Sequence, residues 1–157
     1  MKKILLLPHR FKLPGLLILI PATVVGLMIM FDRFQIGALD THVFAMYAQD
    51  LGASRYFTMV PDNITNELIG LLFIIGALML GFSKEKTEDE YIASVRLSSL
   101  LWAVYVNYAL LIICFLFVYG IAFLQVITFN IFTVLIIFIA RFNFIIYRNK
   151  KRFTDEK

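Results

Sequence analysis

The chain has 157 residues, a formal charge of +4, 61% hydrophobic and 15% aromatic residues, and a mean hydropathy of +0.83, which is more than a water-soluble domain of this length carries. A single cysteine, Cys114, excludes an internal disulfide framework and a paired-cysteine redox centre. The length suits one domain, and no repeat, low-complexity tract or Ser/Pro/Gly linker divides residues 1–157.

The chain opens with "MKKILLLPHRFKLPGLLILIPATVVG". Its basic beginning resembles a signal peptide, but Pro8, Arg10 and Lys12 interrupt the apolar run and no small-x-small cleavage site follows, so the segment is expected to stay attached. Residues 13–31 form the first predicted span, with Arg10 and Lys12 placed to meet lipid phosphates. Residues 32–61 follow as a loop. Within it Leu39, Val43, Met46, Tyr47 and Leu51 fit one helical face, Asp40 suits a cap and Gly52 a stop, which predicts an outer amphipathic helix over 40–51. His42 beside Asp40 has no third ligand nearby and does not predict a metal site.

Residues 64–82 are the second predicted span. Next comes "SKEKTEDEYIASVRLSS", residues 83–99, with four carboxylates in six residues. Thr87 followed three residues later by Glu90 reads as a capping box, so the third helix is expected to begin at Glu88 and to place Glu88, Asp89 and Glu90 in its positive first turn. Unbroken helical pattern to Tyr119 gives about 48 Å, so this helix should protrude from the membrane before its span at 97–119. Asp89, Arg96 and Asn107 share roughly one face, and Asp89 with Arg96 is the expected docking or switching pair. An acid/base or metal site there is disfavoured, because exposed carboxylates lack the burial that shifts pKa values. Gly120 then marks a tight turn into the fourth span, 123–147.

Polar residues within the spans are few, and none is an acid at mid-depth, which argues against a proton-coupled or cation exporter. Asn107 and Asn130 suit hydrogen-bonded helix joints, and Arg141 can reach the phosphates or a carboxylate near residues 85–90. Thirteen of the fifteen Lys and Arg fall before residue 13, within 84–96 or after 140, against Arg33 and Arg55 alone in the 32–61 loop. The positive-inside rule therefore places both termini in the cytoplasm. The expected fold is all-α: four antiparallel transmembrane helices, an outer amphipathic helix and a protruding third helix.

The stretches "FSKEKTEDEYIASVRLSSLLWAVYVNYALL", "FVYGIAF" and "ARFNFIIYR" resemble a type of small uncharacterised bacterial four-span membrane protein. The likeness covers about the second half of the chain. It implies a cytoplasmic K-E-K-x-E-D-E hinge and a basic tail, and carries no activity, ligand or catalytic residue. Disulfide-forming quinone reductases need paired cysteines and lipoprotein signal peptidases need two membrane-level aspartates, and this chain has neither. The pattern therefore favours an interaction, regulatory or accessory protein of the inner membrane, not an enzyme. Its candidate interaction or switch residues are Glu88, Asp89, Glu90, Arg96, Asn107 and Arg141. The expected partners are membrane lipid, with anionic headgroups at Arg10, Lys12, Arg148, Lys150, Lys151 and Arg152, and a protein or a second copy of the chain. No cofactor, metal or nucleic acid is expected. The alternative is a small transporter or lipid-facing enzyme with a site near Asn107, Asn130, Arg141 and Asn143.

Overall fold

A computed structural model describes residues 6–32, 36–50, 53–86 and 88–155. Four helices form where the apolar runs lie: α1 (Lys12–Asp32), α2 (Thr65–Gly81), α3 (Glu90–Phe117) and α4 (Ile121–Asp155). The stretches His9–Phe31, Glu90–Phe117 and Ile121–Asn149 are each long and apolar enough to cross a membrane, as in a membrane protein. At 17 residues α2 is shorter; it reaches about 26 Å against a hydrocarbon core of about 30 Å. Among the described residues three helices therefore meet the length criterion, where four were expected. The contacts divide the chain into two compact units, one of residues up to Ile18 with those from Ile74 onward, the other Leu19–Phe73.

In the Leu19–Phe73 unit the expected outer helix is absent. Residues 40–50 instead form the first strand of an antiparallel hairpin of β1 (Asp40–Asp50) and β2 (Ala53–Asn63), in register from Asp40↔Asn63 to Asp50↔Ala53, while Leu51 and the expected stop Gly52 lie outside the described residues. Val43 and Tyr47, which suit a helical face, are also strand formers, and they find cross-strand neighbours in Val60 and Tyr56. Tyr47 meets Tyr56 with ring centroids 5.3 Å apart, and Phe44 meets Phe57 at 6.3 Å. Pairing skips Met46 and Phe57, where Phe57 takes a φ of +51°, and resumes at Tyr47↔Tyr56. The hairpin base is tied by side chains. Asn63 donates to the Ile36 carbonyl at 3.1 Å, and its own carbonyl oxygen accepts from the Thr65 N–H at 3.0 Å, which caps α2. The buried Thr65 hydroxyl accepts from the Ile36 N–H at 3.1 Å.

In the other unit α3 and α4 pack as an antiparallel pair around Val95, Ala103, Phe138 and Phe142. Gly120 makes their connection tight by adopting φ +71°, a conformation that L side chains resist. Gly15 of α1 lies against Met79 and Leu80 of α2, and a Cβ at Gly15 would meet the Leu80 backbone nitrogen at 2.9 Å. Gly81 lies against Phe138 in the same way: a Cβ there would stand 2.6 Å from the ring.

The start of α3 differs from the expected capping box. Thr87 lies outside the described residues, and the helix begins at Glu90, two residues later than the pattern predicts. Asp89 is the cap, in extended conformation, its Oδ1 accepting from the Ile92 N–H at 2.8 Å. Glu90 remains in the positive first turn, but Glu88 stands before the helix. That displacement determines the local charge pairing.

Candidate functional site

Arg96 is 6% exposed on α3, nearly two turns after the helix start. A buried guanidinium needs a counter-charge and hydrogen-bond acceptors. The carboxylate that reaches it is Glu88, not Asp89. Having left the helix, Glu88 can turn back over the first two turns, and it accepts from Nη1 at 2.6 Å and Nη2 at 3.2 Å in a bidentate fork. Asp89, seven residues before Arg96, is committed to the cap. The expected Asp89–Arg96 pair is thus replaced by Glu88–Arg96, because a side chain that caps the helix is not free to run along its face.

Arg96 Nη2 also donates to the Ser83 carbonyl at 3.2 Å, and the guanidinium lies 5.0 Å from the centroid of the Phe142 ring. Its Nε, buried, has no hydrogen-bond partner among the described residues. The segment before the clamp is fixed by the chain start. Leu7 and Ser83 form a parallel bridge, with Leu7 N–H donating to Phe82 O at 3.0 Å and Lys84 N–H to Leu7 O at 2.9 Å. His9 Nδ1 lies 2.8 Å from Lys84 O, Lys12 pairs with Glu85, and the Glu85 N–H donates to Glu88 Oε2 at 2.9 Å. The described residues of "SKEKTEDE" therefore form a strap held by residues 7–12 and by Arg96, with one hydrogen bond of its own between Glu85 and Glu88.

Burial of the Glu88 carboxylate raises its pKa. The hydrogen bonds from Arg96 and from the Glu85 N–H, with the charges of Arg96 and Lys84, outweigh burial and hold it below the ordinary value of 4.5. Glu88 is ionised at neutral pH, and the clamp is a charged pair.

The remaining candidates fall elsewhere. Asn107, buried on α3, and Asn130 on α4 exchange amide hydrogen bonds of 3.2 and 3.0 Å, so each satisfies the other. Arg141 does not pair with a carboxylate near residues 85–90; its guanidinium lies 4.4 Å from the centroid of the Trp102 ring. Asn143 donates to the Ile139 carbonyl of its own helix at 2.9 Å. Asn107, Asn130, Arg141 and Asn143 thus do not converge on a single point. Of the residues expected at lipid headgroups, Lys12 is engaged by Glu85, Arg10 and Arg148 are exposed, and the side chains of Lys150, Lys151 and Arg152 lie outside the described residues.

Sequence reasoning missed Ser83 and Lys84, whose backbone closes the strap, and Tyr91, whose hydroxyl accepts from Asn149 of α4. Only the Tyr91 contact had a signal, an aromatic residue on the α3 face that meets the basic end of α4. No protein-family model matches the chain, and neither a curated protein nor a solved structure is significantly similar to it.

Proposed function

We propose that this chain is a multi-pass accessory or regulatory protein of the bacterial inner membrane that docks a protein partner on its β1–β2 hairpin. The observation that carries the proposal is the surface of that hairpin. Phe44, Met46, Tyr47, Tyr56, Phe57 and Met59 are each more than half exposed. A lone two-stranded hairpin is marginal in water, and an exposed group of aromatic and methionine side chains marks a contact surface. Both strands also keep an open edge to which another chain could add.

Topology supports this division of labour. Within one unit Leu7 exchanges backbone hydrogen bonds with Phe82 and Lys84, and within the other the Ile36 N–H donates to the Thr65 hydroxyl; both support reading α1 and α2 as one crossing and its return, although α2 has 17 residues. The distribution of Lys and Arg then favours cytoplasmic termini and a cytoplasmic strap, with the hairpin outside. The reciprocal Asn107–Asn130 pair favours a helix joint over a polar pathway, which weakens the transporter and lipid-enzyme alternative.

The test is photo-crosslinking in native membranes from a reactive residue at Tyr56, with a control at the lipid-facing Leu101. A discrete protein adduct from position 56 that disappears in Phe57→Asp supports partner docking. Adducts to lipid alone, or only to a second copy of the chain, contradict it.

A further inference from the structure

We propose that Arg141 and Trp102 form a binding site for the phosphate of an anionic phospholipid. This rests on the placement of α3 and α4 in a membrane and is independent of partner docking on the hairpin. Arg141 is half-buried, its Nε is buried without a hydrogen-bond partner among the described residues, and the guanidinium lies over Trp102. The ion pairs among the described residues join Lys12 to Glu85 and Arg96 to Glu88, so no described carboxylate neutralises Arg141. The contrast with Arg96 is direct. Both arginines lie over a ring, but Arg96 has Glu88 beside it and Arg141 has no carboxylate beside it among the described residues.

Depth selects the anion. Arg141 follows Ile121, the first residue of α4, by twenty residues, or about 30 Å, which is one hydrocarbon thickness. That is where lipid phosphates begin. Trp102 is 50% exposed, an amphipathic ring of the kind found near headgroup level. With one guanidinium face covered by indole and Nε buried, the two Nη groups are left to meet two phosphate oxygens, a geometry that lysine lacks. Arg148, exposed and seven residues further along α4, adds positive charge towards the surface and disfavours a lipid that carries its own ammonium group.

Trp102 is the chain's one tryptophan, so its emission reports on the site without a label. The full chain in uncharged detergent is titrated with phosphatidylglycerol, phosphatidylcholine or inorganic phosphate. The expected result is a saturable change with phosphatidylglycerol at a midpoint about fivefold below that of phosphatidylcholine, the effect of one surface charge, and no change with phosphate. Arg141→Gln should remove that preference, and Arg141→Lys should keep part of it. Equal midpoints for the two lipids, or an unchanged preference in a helical Arg141→Gln chain, overturn the site. Saturation by inorganic phosphate overturns the lipid as its source. Should Arg141→Gln not fold, native mass spectrometry of the unaltered chain decides: retention of phosphatidylglycerol against excess phosphatidylcholine supports the site, and free exchange between them refutes it. Failure of the unaltered chain to float with vesicles refutes the membrane placement instead.

Discussion

Glu88→Gln is the substitution for which the clamp makes its sharpest prediction. The side chains of Arg96 and Glu88 are 7% and 22% exposed, so the pair lies between an exposed one, contributing about 0–1 kcal/mol, and a buried one, whose disruption costs about 3–5 kcal/mol. Glutamine removes the charge and leaves Arg96 buried with the Ser83 carbonyl and the Phe142 ring, which places the cost at about 2–3 kcal/mol. Arg96→Met should cost less, about 1 kcal/mol, because the carboxylate it leaves behind is reached by water while the buried charge is gone. The double variant should recover most of the loss. Asp89→Asn, by contrast, should cost no more than about 1 kcal/mol through the cap and show no coupling to Arg96. The pH dependence follows from the depressed Glu88 pKa: its contribution is full above 4.5 and is lost as pH falls through the lower folded value, so Glu88→Gln should flatten the acid limb below 4.5. Denaturant unfolding in mixed micelles, followed by circular dichroism, measures each quantity. A Glu88→Gln cost below about 0.5 kcal/mol, or strong coupling between Asp89 and Arg96, would refute the clamp.

Other consequences can be read in the same assay. Gly81→Ala should destabilise by about 1–3 kcal/mol through its clash with the buried Phe138 ring, and Phe138→Leu in the same chain should relieve part of that loss. Gly120→Ala should cost about 1–2 kcal/mol from backbone conformation alone, since no side chain or backbone atom lies within 4 Å of the added carbon. Asn107→Leu should lose about 0.6–1.7 kcal/mol by orphaning Asn130, and Asn107→Leu with Asn130→Leu should be closer to neutral than either single change.

The helices were legible because an apolar run of twenty residues has few alternatives, and the α3–α4 turn because only glycine suits its φ. Asn107 and Asn130 were recognised as a joint for a similar reason: an amide in an apolar helix needs a partner. The β1–β2 hairpin was not legible from residues 40–51 alone. Val43, Met46 and Tyr47 satisfy a helical template, and what decides against it is the pairing of Phe44, Ala45 and Tyr47 with residues 56–59, a non-local term that periodicity does not register. The clamp was half legible. Its charged residues stand out, but the partner of Arg96 depends on whether the helix starts before or after Glu88, a difference of two residues that the Thr87–Glu90 pattern does not resolve.

The proposal that the hairpin faces outward and the strap the cytoplasm is tested most directly by cysteine labelling in intact cells, on a Cys114→Ser background. Ser54 and Lys86 are both exposed, so neither needs unfolding to react. A membrane-impermeant maleimide should label Ser54→Cys from outside and should label Lys86→Cys only after the membrane is opened. Labelling of Lys86→Cys in intact cells, or of both positions only after opening, would contradict the proposed arrangement.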